Sequence, residues 1–279
     1  MEIIIAKRAG FCFGVKRAMD VTFELARAKE KGIYTFGPII HNPQVIERLK
    51  KEGVAPTEDI HSQDIKTLII RTHGISPGIY EEIEQEDYRL VDATCPFVKK
   101  AQKYARILQK EGYQVAILGD REHPEVIALL GFAGEDAIVI NGREPLPPMK
   151  GKVGLIVQTT QPVDSLKKVA GQLLDTVKEL KVYNTICNST SLRLEETKRL
   201  AAIVDLLLVV GGKNSANTTQ LAVLSKNICD KVYHIETADE LQQAWFQGVK
   251  KIGITGGAST TKWIIDNTIE KIKEISQRR

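Results

Sequence analysis

The sequence is short of the features that mark several classes of protein. It has only four cysteines in 279 residues and no CxxC pair, which argues against a closed zinc site built from two such pairs. Its longest apolar run, from Ala201 to Val210, is interrupted by Asp205, whereas a membrane span needs ~20 apolar residues. The formal net charge is +4 without a basic cluster. The sequence therefore predicts neither a membrane protein nor a nucleic-acid-binding protein.

The first residues also lack the layout of a secretory signal. The start reads MEIIIAKRAG, which is a short strand pattern without a charged segment followed by an apolar one. We therefore expect a cytoplasmic protein. In a reducing compartment the four cysteines are expected to be thiols or metal ligands rather than disulfides.

The composition is that of a folded globular protein. Hydrophobic residues make up 43% and charged residues 27% of the chain, near the usual averages. Short β-branched runs alternate with amphipathic stretches throughout, for example RLVDAT, then PFVKKAQKYARILQKEG, then YQVAILG. This alternation predicts an α/β fold with mostly parallel sheets. No Pro/Ser-rich linker or charge block divides the chain, so any domain boundaries must come from repetition.

Three sets of residues repeat along the chain in the same order. One set lies between a strand pattern and a helix pattern, with separations of 83 and 92 residues: Cys12, Cys95 and Cys187. The second follows the next strand, with separations of 82 and 92 residues: His41, His123 and Ser215. The third follows a further strand, with separations of 86 and 100 residues: His73, Thr159 and Ser259. The spacing predicts three copies of one small α/β unit, each of about 93 residues.

We place these units at residues 13–95, 96–186 and 187–279, and we expect residues 1–12 to complete the sheet of the last one. In each unit the repeated residues stand at the carboxyl ends of parallel strands, where such folds bind ligands. If the units are related by a pseudo-threefold axis, the three cysteines converge and the remaining residues surround them. The predicted fold is thus three small α/β units around a central site.

The cysteines suggest a metal site at this centre. A single cysteine is more often a buried structural residue, and Cys229, which lies outside the repeat, is expected to be one. The repetition of the other three favours ligands, because a thiolate at a helix start faces the positive end of the helix. Three cysteines and a histidine could bind zinc with one open position, and three thiolates could equally hold a [4Fe–4S] cluster with one free iron. Spacing does not choose between the two.

The other repeated residues suggest an anion site. His41 and His73 each follow an apolar strand, while Lys213–Asn217 and Gly256–Thr260 bring Gly, Ser, Thr and Asn to expected helix starts. Imidazoles and hydroxyls together suit a diphosphate. Taken singly, each Ser, Thr or Asn could be only a helix cap, and each His only a structural residue.

Glu125 stands two residues after His123, at the same strand end. A charged group there is costly unless it has a partner or a task. Beside Thr159 or a water it could deliver protons, with a pKa adjusted by burial. The alternative is a first-turn Glu that stabilises a helix dipole.

Nine motifs in one order resemble the LytB/IspH family of 4-hydroxy-3-methylbut-2-enyl diphosphate reductases. They are GFCFGVKRA, GPIIHNPQV, RTHGISP, DATCPFVKK, GDREHPEV, QTT, TICNST, GGKNSANT and TGGAST. The resemblance covers residues 1 to about 262. It implies reduction of the allylic alcohol to isopentenyl and dimethylallyl diphosphates, the last step of the non-mevalonate isoprenoid route. Electrons would come from a ferredoxin or flavodoxin.

The resemblance also implies roles for individual residues. One [4Fe–4S] cluster would be held by Cys12, Cys95 and Cys187, with its fourth iron binding the substrate hydroxyl. Glu125 would be the proton donor, supported by Thr159. Contacts with the diphosphate would come from His41, His73, His123, Thr159, Ser215, Asn217 and Ser259, and from Ala216 through its backbone N–H. A monomer is expected.

The sequence departs from the family pattern in two places. Ala216 stands where family members often have Ser, which leaves only the backbone N–H at that position. After the third cysteine an ATxxRQ-like pattern reads STSLRLEE, with Ser189 and Leu194 in place of Ala and Gln. Neither change touches a predicted metal ligand.

Three other functions compete with this one. A zinc-dependent hydrolase of a phosphorylated substrate fits the same residues. A non-catalytic iron–sulfur sensor would need a DNA-binding helix pair or a basic stripe, and the sequence has neither. Quinolinate synthase is a three-part enzyme with three cysteines, but it lacks the HNP, HPE and SAN arrangement found here.

Overall fold

A computed structural model describes residues 1–28, 30–149 and 151–277. Strands alternate with helices along much of this chain, although three pairs of successive strands have no α-helix between them. The strands are β1 (Glu2–Ile5), β2 (Ile33–Phe36), β3 (Val54–Thr57), β4 (Thr67–Ile70), β5 (Arg89–Asp92), β6 (Gln114–Leu118), β7 (Ile138–Ile140), β8 (Lys152–Val157), β9 (Glu179–Val182), β10 (Leu206–Val210), β11 (Val232–Ile235) and β12 (Lys251–Gly256). The helices are α1 (Phe13–Arg27), α2 (Pro43–Lys51), α3 (Pro77–Ile83), α4 (Pro96–Lys110), α5 (Pro124–Ala133), α6 (Val163–Leu174), α7 (Asn188–Ala201), α8 (Ala216–Ser225) and α9 (Lys262–Gln277), with 3₁₀ turns at Ala238–Glu240 and Gln243–Phe246.

The strands form three sheets of four strands, and every pairing between them in the described chain is parallel. The orders are β3-β2-β4-β5, β7-β6-β8-β9 and β11-β10-β12-β1. In each of the first two sheets, the second strand in chain order lies at one edge and pairs with the first strand. The third strand pairs with the other side of the first, and the fourth lies beyond the third. The last sheet has the same order if β1 is counted as its fourth strand. The predicted α/β fold with three parallel sheets is therefore confirmed.

The amino-terminal strand β1 belongs to the sheet built mainly from the carboxyl-terminal part of the chain. It pairs with β12 from Glu2↔Lys251 to Ile5↔Ile254. It thus occupies the position that β5 and β9 occupy in the other two sheets. The boundaries 13–95, 96–186 and 187–279 stay a prediction, because sheet membership does not define where a repeat begins or ends.

The chain divides into two compact units. The first consists of residues 1–16, 40–48 and 189–279, and the second of residues 17–39 and 49–188. The first unit contains the sheet of β1, β10, β11 and β12, and the second contains the other two sheets. Each unit has its own buried apolar clusters.

In the first unit the central strand β10 is buried on both faces, as expected for a parallel strand covered by helices. Successive residues alternate between two apolar clusters. Leu206, Leu208 and Val210 pack with Phe246 and residues of α9. Leu207 and Val209 pack instead with Leu200, Leu221 and Cys229 on the other face. The strand therefore holds helices on both sides of its sheet.

In the second unit the amphipathic helix α4 packs on β6 and β8. It starts with Pro96, which suits a first helical position because proline needs no hydrogen-bond partner there. Its buried face includes Val98, Ala105 and Leu108. A Cβ at Gly154 of β8 would lie 2.6 Å from the nearest Leu108 side-chain atom, so this glycine allows a close approach between helix and sheet. Within the described residues, no helix combines the length and apolarity that crossing a membrane requires.

This packing predicts that Leu108→Ala lowers the free energy of unfolding by about 2–5 kcal/mol, since it leaves a cavity in a fully buried cluster. Leu174→Ala is a matched control, because Leu174 is 67% exposed at the end of α6. Urea denaturation followed by circular dichroism measures both. Equal midpoints for the two variants would contradict the assignment of Leu108 to the core.

Candidate functional site

The residues of the three repeated sets all lie just beyond the carboxyl ends of strands. The second set stands five residues after strands that end at Phe36, Leu118 and Val210: His41, His123 and Ser215. The third set stands two or three residues after strands that end at Ile70, Val157 and Gly256: His73, Thr159 and Ser259. Equivalent residues thus follow equivalent strands in each sheet. The spacing in the sequence reflects this structural repetition.

Each cysteine of the repeat directly precedes a helix. Cys12, Cys95 and Cys187 are followed by the first residues of α1, α4 and α7. Cys95 is the N-cap residue of α4, and its side chain makes no capping hydrogen bond. The three are partly exposed, and all four cysteines lie in the described chain without forming a disulfide. Thiolates in such positions face the positive end of a helix, which favours metal ligation.

In the first unit Ser259 lies at the centre of a group of polar loop residues. Its hydroxyl donates to the carbonyl oxygen of His41 at 3.2 Å and lies 3.5 Å from the hydroxyl oxygen of Ser215. The Asn42 amide donates to the carbonyl oxygen of Ser259 at 3.0 Å. A Cβ at Gly212 would lie 2.6 Å from the carbonyl oxygen of His41, so a glycine is required for this approach. The structure therefore brings three predicted anion-binding residues together.

Cys12 and Asn217 join the same group through one loop residue. The Cys12 backbone N–H donates to the carbonyl oxygen of Ala258 at 3.3 Å. The Ala258 N–H donates to Asn217 Oδ1 at 3.0 Å. The loop after β12 thus holds a predicted cysteine ligand on one side and a predicted diphosphate ligand on the other.

Ser215 and Ala216 lie at the start of α8. Ser215 is the N-cap, and its hydroxyl oxygen accepts from the Thr218 N–H at 3.4 Å. Ala216 is the first helical residue, so its N–H has no acceptor within the helix. Ser215 therefore has the capping role that was the alternative interpretation of its position.

In the second unit Glu125 is a buried carboxyl held by one residue. It is 2% exposed. The Thr159 N–H donates to its Oε1 at 2.6 Å, and the Thr159 hydroxyl donates to its Oε2 at 2.8 Å. Burial raises the pKa of Glu125 from 4.5 to about 7, while the two Thr159 hydrogen bonds lower it. Loss of hydration thus outweighs the hydrogen bonds, and the carboxyl can hold a proton near neutral pH.

His123 lies beside Glu125 and caps the same helix. Its Nδ1 accepts from the Glu125 backbone N–H at 3.1 Å, so the proton of the neutral ring is on Nε2. The rings of His123 and His73 meet edge to face, with their centroids 5.3 Å apart. Two predicted diphosphate ligands and the predicted proton donor are therefore neighbours.

The two cysteines of this unit are hydrogen-bonded to the loops of these residues. The Cys187 N–H donates to the Thr159 carbonyl oxygen at 2.9 Å. The Cys95 N–H donates to the carbonyl oxygen of Thr72, the residue before His73, at 3.0 Å. Each cysteine backbone is therefore fixed to a loop that carries a predicted substrate ligand.

The predicted residues divide equally between the two units. The first unit contains Cys12, His41, Ser215, Ala216, Asn217 and Ser259, and the second contains His73, Cys95, His123, Glu125, Thr159 and Cys187. The contacts above group the residues within each unit. Their roles as metal, substrate and proton-transfer residues stay predictions.

Sequence reasoning missed several residues that hold these loops. Besides its bond to Ser259, Asn42 accepts from the Val45 N–H at 3.2 Å and so orders the start of α2. The fully buried Gln158 accepts from the Asp120 N–H at 3.0 Å, which ties the loop before His123 to the end of β8. Thr185 lies beyond the end of β9, and its hydroxyl oxygen accepts from the N–H of Val157, the last residue of β8, at 2.9 Å. In the sequence, Asn42 and Gln158 are marked only by their place in two of the family-like motifs, HNP and QTT.

The Cys and His residues outside the repeat have other surroundings. Cys229 is buried in an apolar cluster, and its sulfur lies 3.7 Å from the Val204 carbonyl oxygen. His234 Nε2 is 2.9 Å from the Gly211 carbonyl oxygen. His61 is exposed and contacts Glu86 at 2.6 Å. These contacts account for their presence without a role in the site.

Comparison with known proteins places the chain in a family. Residues 3–273 match the family model described as LytB protein. A protein of Pelobacter propionicus named 4-hydroxy-3-methylbut-2-enyl diphosphate reductase is 47% identical over 280 residues, covering 100% of both chains. A protein of Geobacter sulfurreducens with the same name is 48% identical over 282 residues, covering 100% of this chain and 99% of the relative.

Solved structures agree with these relatives. One is described as (E)-4-hydroxy-3-methyl-but-2-enyl diphosphate reductase, the terminal enzyme of the non-mevalonate pathway. It is 45% identical with a TM-score of 0.71, covering 98% of this chain and all of that one. The reductase of Plasmodium falciparum is 28% identical with a TM-score of 0.86, covering 98% of this chain and 87% of that one. The chain therefore belongs to the LytB family.

Proposed function

We propose that the protein catalyses reductive dehydroxylation of (E)-4-hydroxy-3-methylbut-2-enyl diphosphate to isopentenyl and dimethylallyl diphosphates, the last step of the non-mevalonate isoprenoid pathway. The names of its full-length relatives support the substrate and the reaction. They favour this function over a quinolinate synthase and over a zinc-dependent hydrolase. The observation that carries the proposal is the buried Glu125 carboxyl, held by Thr159 with its pKa near 7. Reductive loss of a hydroxyl as water requires a proton donor of this kind.

For the cofactor we propose one [4Fe–4S] cluster held by Cys12, Cys95 and Cys187. The donor set fits, because all three side chains are partly exposed, none is in a disulfide and each directly precedes a helix. Cys229 is excluded from this set by its burial in an apolar cluster. When bound, a cluster with three protein thiolates supplies electrons and one iron with an open position for a substrate oxygen.

The diphosphate is proposed to bind the polar residues that follow the second and third strands of each sheet. Hydroxyls, imidazole N–H groups and helix N-termini all favour a polyanion. These residues are His41, His73, His123, Thr159, Ser215, Ala216, Asn217 and Ser259. Holding the diphosphate orients the hydroxyl end of the substrate, which lowers the entropic cost of the reaction. Ala216 contributes only its backbone N–H.

Proton delivery is proposed for Glu125. With a pKa of about 7 a large fraction of the carboxyl is protonated at neutral pH, whereas an ordinary Glu would be almost entirely ionised. Thr159 holds both carboxyl oxygens and so fixes the direction of the acid group. The C–O bond breaks as the departing hydroxyl takes this proton and leaves as water, and two electrons with one further proton complete the product. We propose further that a ferredoxin or flavodoxin supplies the electrons and that the protein acts as a monomer.

Replacing the proton donor tests the proposal directly. Glu125→Gln should lower turnover by about 10²–10⁴, the usual worth of a positioned acid, because the amide keeps the shape but cannot supply the proton. Turnover is measured anaerobically with the diphosphate substrate and a viologen reductant. Glu122→Gln, three residues away and exposed, is the matched control. Turnover of Glu125→Gln close to that of the control would remove Glu125 from the mechanism, provided that both retain iron.

The pH dependence should report the same carboxyl. Because the protonated form is active and the pKa is about 7, kcat/KM should fall as the pH rises through that value. Thr159→Val removes a hydrogen bond that lowers the pKa, so it should move this falling limb to higher pH. Thr160→Val is the control, since the Thr160 hydroxyl contacts Gln158 instead. If kcat/KM falls at the same pH in wild type, Thr159→Val and Thr160→Val, a group other than Glu125 titrates.

The ligand assignment predicts different iron contents for two cysteine variants. Cys187→Ser should weaken or lose the cluster, because an alcohol is a poor replacement for a thiolate ligand. Cys229→Ser should keep it, because the Cys229 sulfur lies in an apolar cluster. Iron per chain after anaerobic reconstitution measures both. Equal iron content in wild type and both variants would contradict the assignment.

A further inference from the structure

Helix α7 holds a charged pair against the loop that leads from β1 to Cys12. Arg193 and Glu196 are three residues apart and therefore lie on the same face of the helix. Arg193 is only 3% exposed, which is rare for an arginine unless its charge is well satisfied. Residues 6–12 contain no helix or strand, so the backbone of this loop lacks the regular hydrogen bonds of such elements. Backbone carbonyls accept from the N–H groups of Ala6, Ala9 and Cys12, and side chains bind other polar groups of the loop.

The Arg193 guanidinium binds three carbonyl groups. Nη1 donates to the carbonyl oxygen of Arg8 and, at 2.7 Å, to that of Gly256. Nη2 donates to the carbonyl oxygen of Gly10 at 2.9 Å. Gly10 has a φ of +117°, a conformation that only glycine adopts readily. The guanidinium therefore fixes an unusual stretch of backbone two residues before Cys12.

Glu196 binds the N–H groups of the same loop. Its Oε1 accepts from the Lys7 N–H at 2.8 Å, and its Oε2 accepts from the Arg8 N–H at 3.0 Å. The two side chains thus satisfy donors and acceptors of one short segment. Hydrogen bonds to charged groups are the stronger kind, so the segment is held firmly.

The contact to Gly256 joins this loop to the one that binds Cys12. Gly256 lies two residues before Ala258, whose carbonyl oxygen accepts from the Cys12 N–H at 3.3 Å. One guanidinium consequently fixes the backbone before Cys12 and the backbone that binds Cys12. The anchoring of α7 itself has a separate source, since Leu194, Leu200 and Ala201 pack into the apolar cluster of the first unit.

We propose that Arg193 and Glu196 are positioning residues that fix Cys12 as a ligand of the iron–sulfur cluster. The inference rests on the proposed function, because it assumes that Cys12 binds the cluster. It adds that this ligand is held in place before iron arrives, by side chains from α7. Part of the cluster's retention therefore depends on residues that do not touch it.

The first measurement uses protein without iron. Amide hydrogen exchange of residues 6–12 should be about tenfold faster or more in Arg193→Gln and in Glu196→Gln, because the charge-assisted hydrogen bonds of the loop are lost. Exchange of the buried strand β10 should stay as in wild type. The same helix offers matched controls, since Arg199 and Glu195 form an exposed pair at 3.2 Å. Arg199→Gln and Glu195→Gln should leave the exchange of the loop unchanged.

The second measurement uses the reconstituted protein. Iron loss to a chelator should be about tenfold faster in Arg193→Gln than in Arg199→Gln, because Cys12 is no longer held in place. Arg193→Lys should be intermediate, since an ammonium keeps the charge but lacks the planar set of donors. If Arg193→Gln fails to fold, Arg193→Lys and Glu196→Gln provide the same comparisons.

Two results would overturn the inference alone. One is loop exchange in Arg193→Gln and Glu196→Gln equal to that of the controls. The other is faster loop exchange with iron retention like that of wild type, which would limit the pair to loop structure. Failure of the proposed function is recognised differently, because wild type would then take up no cluster iron whatever the variants do.

Discussion

The parallel pairing of every strand in the described residues is the constraint on which the rest of this structure depends. Parallel strands of one sheet end at the same edge, so the loops after its first, third and fourth strands become neighbours. The Cys187 N–H can reach the Thr159 carbonyl, and the Cys95 N–H the Thr72 carbonyl, because those loops leave adjacent strands. Cys12 has the same relation to Ala258 because β1 pairs with β12. The segment from β1 to Cys12 lies at the start of the sequence, yet its cysteine makes the same kind of backbone contact as Cys95 and Cys187.

The electrostatics of Glu125 follow from its position at such an edge. Loss of hydration disfavours its charged form, and no cation among the described residues is a cause of its shifted pKa. The two hydrogen bonds from Thr159 act in the opposite direction but are weaker, because neutral donors replace only part of the lost hydration. The outcome is a carboxyl with a pKa near neutrality whose two oxygens are nevertheless fixed in direction. An ion pair would have fixed the group equally well but would have kept it ionised.

Much of this arrangement could be predicted from the sequence, because strand and helix periodicities are local signals. The spacing of His41, His123 and Ser215 reflects three strands that end five residues earlier, and the resemblance to a known family added chemical roles. The bonds made by Arg193 and Glu196 could not be predicted in this way. They connect a helix to an irregular loop more than 180 residues away, and such contacts have no periodicity. The segment STSLRLEE therefore stands out in the sequence only as a departure from a family pattern, although it contains the two residues that hold the Cys12 loop. Gln158 is a similar case, since a buried amide that orders a loop looks like any other polar residue of a motif.

Helix capping and anion binding, the two alternatives for single Ser and His residues of the repeat, are compatible in this geometry. A hydroxyl that caps a helix uses its oxygen as an acceptor, as Ser215 does for the Thr218 N–H, and its own proton remains available for donation. His123 shows more clearly that a side chain can cap a helix and still donate a hydrogen bond. Because its Nδ1 accepts from the Glu125 N–H, the neutral ring must carry its proton on Nε2. The cap therefore selects the tautomer with an N–H donor on Nε2, which is a form that can donate to an anionic ligand. The same hydrogen bond also fixes the backbone of the residue proposed to deliver the proton, so the cap and the proposed anion binding and proton transfer depend on one local structure at the start of α5.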